Sequence, residues 1–250
     1  VAGIAEGVVD EEVRQLKAEL ERQLERTRVF LEKAIKEGRY DRSVEAARAT
    51  AAEVADILAR NFDSVNAGFE AASERVQQAT LSDLANAGVT ASFSAVSAAS
   101  LRAQVDGTLS DITTIAGEAA RELRDVIVDI VRSNVPPTEA IKQLTGVVGA
   151  RTGEVATLID TGLAAFDREV SVVAASEAGV EWFLYDGPLD QLTRPYCDAR
   201  VGKRFTIAKL DATENDTGPN PPSRYCGGYN CRHRLVALVR PEDVAAYPEG

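Results

Sequence analysis

The chain has 250 residues, enough for one large domain or two modest ones, and its 45% hydrophobic content excludes wholesale disorder. A net charge of −11 argues against binding bare nucleic acid except through a local basic patch, and the 6% aromatic content with abundant alanine favours close-packed helices over a sandwich. No run of eighteen apolar residues occurs, so no membrane span is expected. The chain begins at Val1 without a signal-peptide pattern and holds no methionine, so the natural start is expected to lie upstream.

In chain order, the first element is a long amphipathic helix. Val9, Val13, Leu16, Leu20, Leu24, Thr27, Leu31 and Ile35 recur every three or four residues, which places them on one face. Two readings fit: an ordinary bundle helix, or a coiled coil through which the protein self-associates. Gly38 is its expected stop. A second helix is expected over 43–60, with Val44, Ala47, Ala51, Val54 and Leu58 inward and Asp41 or Ser43 as N-cap. A third is expected over 63–86. The Ala/Ser-rich stretch 90–100 reads as helical and tightly packed, joining a helix that ends near Val131. Val126–Val131 is β-branched, yet helix is the reading kept. Pro136–Pro137 breaks the chain, Thr138 caps a short helix 139–144 ended by Gly146 and Gly149, and a last long helix runs 153–178 to Gly179.

Composition changes near residue 179. Alanine falls away, and the tryptophan, most tyrosines and prolines, and all three cysteines follow. Strands are expected at 180–185, 203–206 and 235–239, with a turn at Asp186–Gly187–Pro188 and a Pro/Gly-rich loop at 218–228. The expected fold class is mainly α, a long-helix bundle over 1–179 followed by a small α+β Cys/His module over 180–250.

Cys197, Cys226, Cys231 and the single histidine, His233, are spaced C-x28-C-x4-C-x-H. Three cysteines cannot pair completely, so a disulfide framework is a poor reading. Three thiolates and an imidazole make a full tetrahedral zinc set, which would staple a module too small for a good core. Gly227 and Gly228 allow the sharp turn between ligands. The spacing is not that of a standard finger, and buried reduced thiols beside a hydrogen-bonded histidine are the competing reading. No phosphate loop, G-x-S-x-G, zincin or zinc-deaminase pattern occurs. Asp186, Asp190 and Asp198 read as turn formers. No catalytic residue is therefore assigned. Residues 180–250 carry ten acidic and nine basic residues, so nearly all the negative charge belongs to the helices. Arg200, Lys203, Arg204, Arg224, Arg232 and Arg234 are either a basic face for phosphates or ordinary solvated charges.

At these residues the sequence resembles the phage Mu protein F-like family of head morphogenesis, or minor head, proteins. The likeness spans about 150–240. It is carried by TLIDTGLAAFDREVSVVAASEAG, then WFLYDGP, LTRPYC, GKRFT and CGGYNCRHRL. The matching positions are Cys197, Gly202, Lys203, Gly227, Gly228, Asn230, Cys231, Arg232 and His233. The resemblance implies a low-copy protein of the virion head. Such a protein is assembled in the host cytoplasm with the portal and other head proteins, and in some relatives is associated with DNA. Some relatives carry toxin domains beyond this module. The chain ends about ten residues past the last expected strand, and none is expected here. The alternatives are a DNA-contacting protein packaged and ejected with the genome and, in another class, a zinc or cysteine hydrolase.

Overall fold

The structure, a computed structural model, describes residues 4–38, 43–213, 215 and 218–250. It is mainly helical: a long-helix bundle precedes a small strand-and-helix region bearing the cysteines and histidine. The long helices are α1 (Ile4–Lys36), α2 (Val44–Asn86), α3 (Ala95–Arg132) and α4 (Pro137–Glu177). Then follow β1 (Phe183–Asp186), α5 (Pro195–Asp198), β2 (Arg204–Phe205), α6 (Ile207–Asp211), α7 (Pro222–Tyr225), β3 (Arg234–Ala237) and α8 (Pro241–Ala246). Among the described residues no helix is long and apolar enough to cross a membrane.

Two expected breaks are absent. Residues 43–60 and 63–86 form one helix of 43 residues, because the stripe Ala47, Ala51, Val54, Leu58, Phe62, Val65, Phe69 continues without a slip. The helices expected over 139–144 and 153–178 are likewise one, and it begins at Pro137. Gly146, Gly149 and Gly153 lie within it, their Cα positions facing open space. A mid-helix glycine costs only ~1 kcal/mol, less than the burial of Ala140, Leu144, Val148, Val155 and Ile159 on the continuous face. Residues 90–94 are not helical. The Ser94 hydroxyl caps α3 by accepting from Ser97 N at 3.1 Å. The next turn is not tightly packed, since Val96 is 81% exposed. Ser43 caps α2, accepting from Ala46 N at 3.0 Å; Asp41 and the Val44 side chain lie outside the described residues.

Packing divides the chain into two compact units. One holds Arg14–Phe69 and Thr108–Ile159, a segment of each long helix. Its interior is built from the apolar stripes, among them Leu20, Leu31, Leu58, Ile112, Leu123 and Ile130. One polar layer interrupts it: Asn61 Nδ2 donates to Gln23 O and Thr27 Oγ1, both at 3.0 Å.

The other unit holds α1 up to Val13, Glu70–Gly107 and the described residues from Asp160 to Gly250. The packing division thus does not follow residue 179, because the last turns of α4 carry residues of the same core as the C-terminal region. Val172, Ala174 and Ala175 pack with Phe183, Tyr185, Phe205 and Leu235. Gly179, at φ 87°, ends α4 in a paired turn: Val180 N reaches Ala175 O and Gly179 N reaches Ser176 O, each 2.9 Å. A three-stranded antiparallel sheet follows in the order β2–β1–β3. Phe183 faces Phe205 and Ala237, and Tyr185 faces Leu235.

Candidate metal centre

Each member of the cysteine–histidine cluster is delivered by a different local device. Cys197 lies in the single turn α5, whose first residue, Pro195, presets the helical backbone. Cys226 ends α7 at φ 48°, Gly228 and Asn230 also have positive φ (101° and 53°), and the chain doubles back to Cys231. His233 stands just before β3. Gly227 leaves the space between them to the two sulfurs. A Cβ there would lie 2.3 Å from Cys197 Sγ and 3.3 Å from Cys231 Sγ, and its N–H donates to Cys231 Sγ at 3.2 Å.

Cys197, Cys231 and His233 form a buried group able to hold a metal ion, their ligand atoms all within 4.8 Å of one another. The sulfurs of Cys197 and Cys231 are 3.7 Å apart, and Cys231 Sγ is 3.5 Å from His233 Nδ1. Two sulfurs at ~2.3 Å from a tetrahedral zinc would be about 3.8 Å apart, and a sulfur and an imidazole nitrogen about 3.5 Å apart. The histidine tautomer suits this role. Its Nε2 lies 3.0 Å from Pro188 O; a carbonyl only accepts, so Nε2 carries the proton and Nδ1 offers its lone pair to the cluster.

Cys226, expected as a fourth ligand, is not in the three-residue set. It is fully buried, in the same core as Cys231 and Tyr185. The Tyr185 hydroxyl donates to Cys197 Sγ at 3.3 Å. These contacts sort the thiols. The pKa of Cys231 is pushed down, first by its contact with Cys197 and also by the nearby Arg168 charge. Cys197 is pushed up, first by its contact with Cys231, and so is Cys226, chiefly by burial.

A buried arginine in α4 holds the loop that carries the ligands. Arg168 Nε donates to His233 O at 2.7 Å, Nη2 to Cys231 O at 2.6 Å and Nη1 to Arg224 O at 3.1 Å. Its neighbours are pinned too: Glu169 takes two hydrogen bonds from Arg224 at 2.9 and 3.0 Å, and Asp167 Oδ1 is 2.6 Å from Thr80 Oγ1. Thr80 has one hydroxyl proton, and Val76 O lies 2.8 Å away to accept it. The remaining contact is satisfied if Asp167 is protonated and donates. Loss of water around its carboxyl raises its pKa in that direction. This Asp–Arg–Glu triplet was missed by the sequence reading. Its signal is a second buried stripe on α4, Thr161, Ala165, Arg168, Val172 and Ala175, beside the one formed by Leu163, Phe166 and Val170. The Thr161 hydroxyl on that stripe accepts from Asn230 N at 3.1 Å. Asn215 Nδ2 donates to Cys226 O at 2.8 Å.

The six basic residues do not gather on one free face. Arg224, Arg232 and Arg234 are ion-paired, to Glu169, to Asp190 and to Asp186 with Glu6 respectively. Arg200 stacks 3.6 Å over the Tyr196 ring and donates to Tyr196 O. Arg204 lies over Trp182 and donates to Val244 O. Lys203 is half-buried, and Gly202, at φ 79°, forms the turn that leads into β2. Asp190 is held ionised by Arg232, its pKa well below the usual carboxylate range.

Beside the cluster lies a cleft of about 490 Å³, with Cys231, His233 and Arg168 on one wall and Asp10, Val13 and Asp160 among its other lining residues. No family model, curated protein or solved structure matches the chain.

Proposed function

We propose that this is a minor structural protein of a tailed-phage head. In this reading its long helices dock on the portal or another head protein, and one zinc ion staples its C-terminal module. The carrying observation is that Cys197, from one piece of the resembling sequence, meets Cys231 and His233, from another, with its Cys231 contact and the Cys231–His233 contact close to the edge lengths of a zinc tetrahedron. Thiolate and imidazole ligands favour zinc over magnesium or calcium, which take oxygen. Cys226, buried in the same core as Cys197 and Cys231, is the fourth ligand of this reading. Such a closed site is structural in character, which fits an assembly protein better than a hydrolase. Exposed Leu189, Leu192 and Tyr229 give this region an apolar surface suited to a partner. The arginines' internal partners weigh against the DNA-contacting alternative.

The test is co-expression with the portal and the other head proteins of a phage that encodes the chain. The proposal expects the chain to purify with portal assemblies and with mature heads at a low fixed ratio. Its absence from both would overturn the assignment. Retention on DNA at low salt that falls steeply as salt rises would favour the packaged-protein reading instead.

A further inference from the structure

Of the three cysteines, Cys231 alone is among the residues that line the cleft, and at 6% it is the most exposed of the three. Behind it, 3.7 Å away and 1% exposed, is Cys197. Gly227 leaves no Cβ between them, and closing to a disulfide's ~2.05 Å needs small rotations of two side chains. Cys226 is fully buried and does not line the cleft.

We infer that Cys197 and Cys231 form a redox pair, oxidised in the metal-free protein to an intramolecular disulfide by a peroxide entering the cleft. The Cys231 thiolate attacks one oxygen of hydrogen peroxide; the O–O bond breaks and hydroxide leaves, taking up a proton to become water. The sulfenic acid so formed is attacked by Cys197. The S–S bond forms, the S–O bond breaks, and the hydroxyl leaves as water with the Cys197 proton. Two thiols and one peroxide give one disulfide and two waters, two electrons passing from sulfur to peroxide. A bound metal ties up both sulfurs, so the loaded and the oxidised forms exclude each other. That protection, and only that, rests on the metal reading proposed above. For a virion component, release from a reducing cytoplasm would favour the oxidised form.

The experiment uses the full chain, stripped with a chelator and treated with hydrogen peroxide, then alkylated under denaturing conditions and mapped by mass spectrometry. The expected result is a monomer lighter by two hydrogens, a peptide pair linking Cys197 to Cys231, and one alkylated thiol at Cys226. Cys226→Ser should form the same link. Cys197→Ser should instead accumulate a Cys231 sulfenic acid that dimedone traps. A link containing Cys226, links only between chains, or no link at all would overturn the inference. Zinc-loaded protein is expected to react at least ~10-fold more slowly, as both sulfurs are then ligands. An equal rate would count against the metal reading while leaving the mapped disulfide to stand.

Discussion

The two compact units are held by different forces. The unit of Arg14–Phe69 and Thr108–Ile159 is organised by apolar stripes at helical spacing, with the Asn61–Thr27–Gln23 contacts as a polar layer. In the other, the region after Gly179 has strands of only two to four residues. It is held by a cluster of thiols and an imidazole, and by Arg168 bonded to three loop carbonyls. A stripe of leucines and valines loses stability by increments when one member changes. A converging polar cluster fails as a whole, because each lost partner leaves buried donors or acceptors unpaired.

Metal removal should expose that difference most strongly. Binding to structural zinc sites is worth ~10–16 kcal/mol in finger peptides. Chelation is therefore expected to accelerate amide exchange throughout 183–238 by orders of magnitude, while α2 over 44–69 and α3 over 108–132 stay protected. Hydrogen exchange with and without chelator makes the comparison; uniform deprotection of both units would break it.

The next largest effect is expected from Arg168→Met. It keeps the aliphatic packing but strands the carbonyls of Arg224, Cys231 and His233. The cost is about 3–5 kcal/mol, the usual loss when one partner of a buried charged network is removed. Urea unfolding should show it together with weaker zinc retention. A variant that loses stability but holds zinc as tightly as the parent would make Arg168 a packing residue only.

Asp167→Asn sharpens the same contrast through pH. A carboxyl whose pKa is raised on folding contributes stability below its unfolded value, and that contribution is lost as pH rises through the folded value. The asparagine keeps a donor toward Thr80 at every pH. Variant and parent are therefore expected to be similar in acid, with the variant gaining as pH rises toward neutrality. Denaturation midpoints at several pH values decide it; a variant that is less stable at neutral pH would contradict the protonated assignment.

The smallest expected effect belongs to the helical unit. Gly146 lies inside α4 with open space where a Cβ would stand. Gly146→Ala should raise stability by about 0.5–1 kcal/mol, with no change in zinc content.

How much of this was legible in the sequence follows from the range of each interaction. Amphipathic stripes are local, so the helices and Val126–Val131 within α3 were readable from spacing. The continuity of α2 and α4 was not, because it depends on burial outweighing glycine's cost. The grouping of Cys197, Cys231 and His233 was visible as residue chemistry concentrated in one region, and the structure brings those three together. Arg168 was hidden because nothing local says that a charge on a second helical stripe meets carbonyls more than fifty residues away. The pairing of the arginines was hidden for a related reason: Arg234 finds Glu6, at the far end of the chain.

The most direct test of the central claim is zinc K-edge X-ray absorption on the full chain purified without added metal. About one zinc per chain is predicted, with sulfurs near ~2.3 Å and an imidazole nitrogen near ~2.0–2.1 Å in its shell, and with the signal lost in Cys231→Ser. A chain that carries no metal and takes none up, or a zinc shell without sulfur, would contradict it.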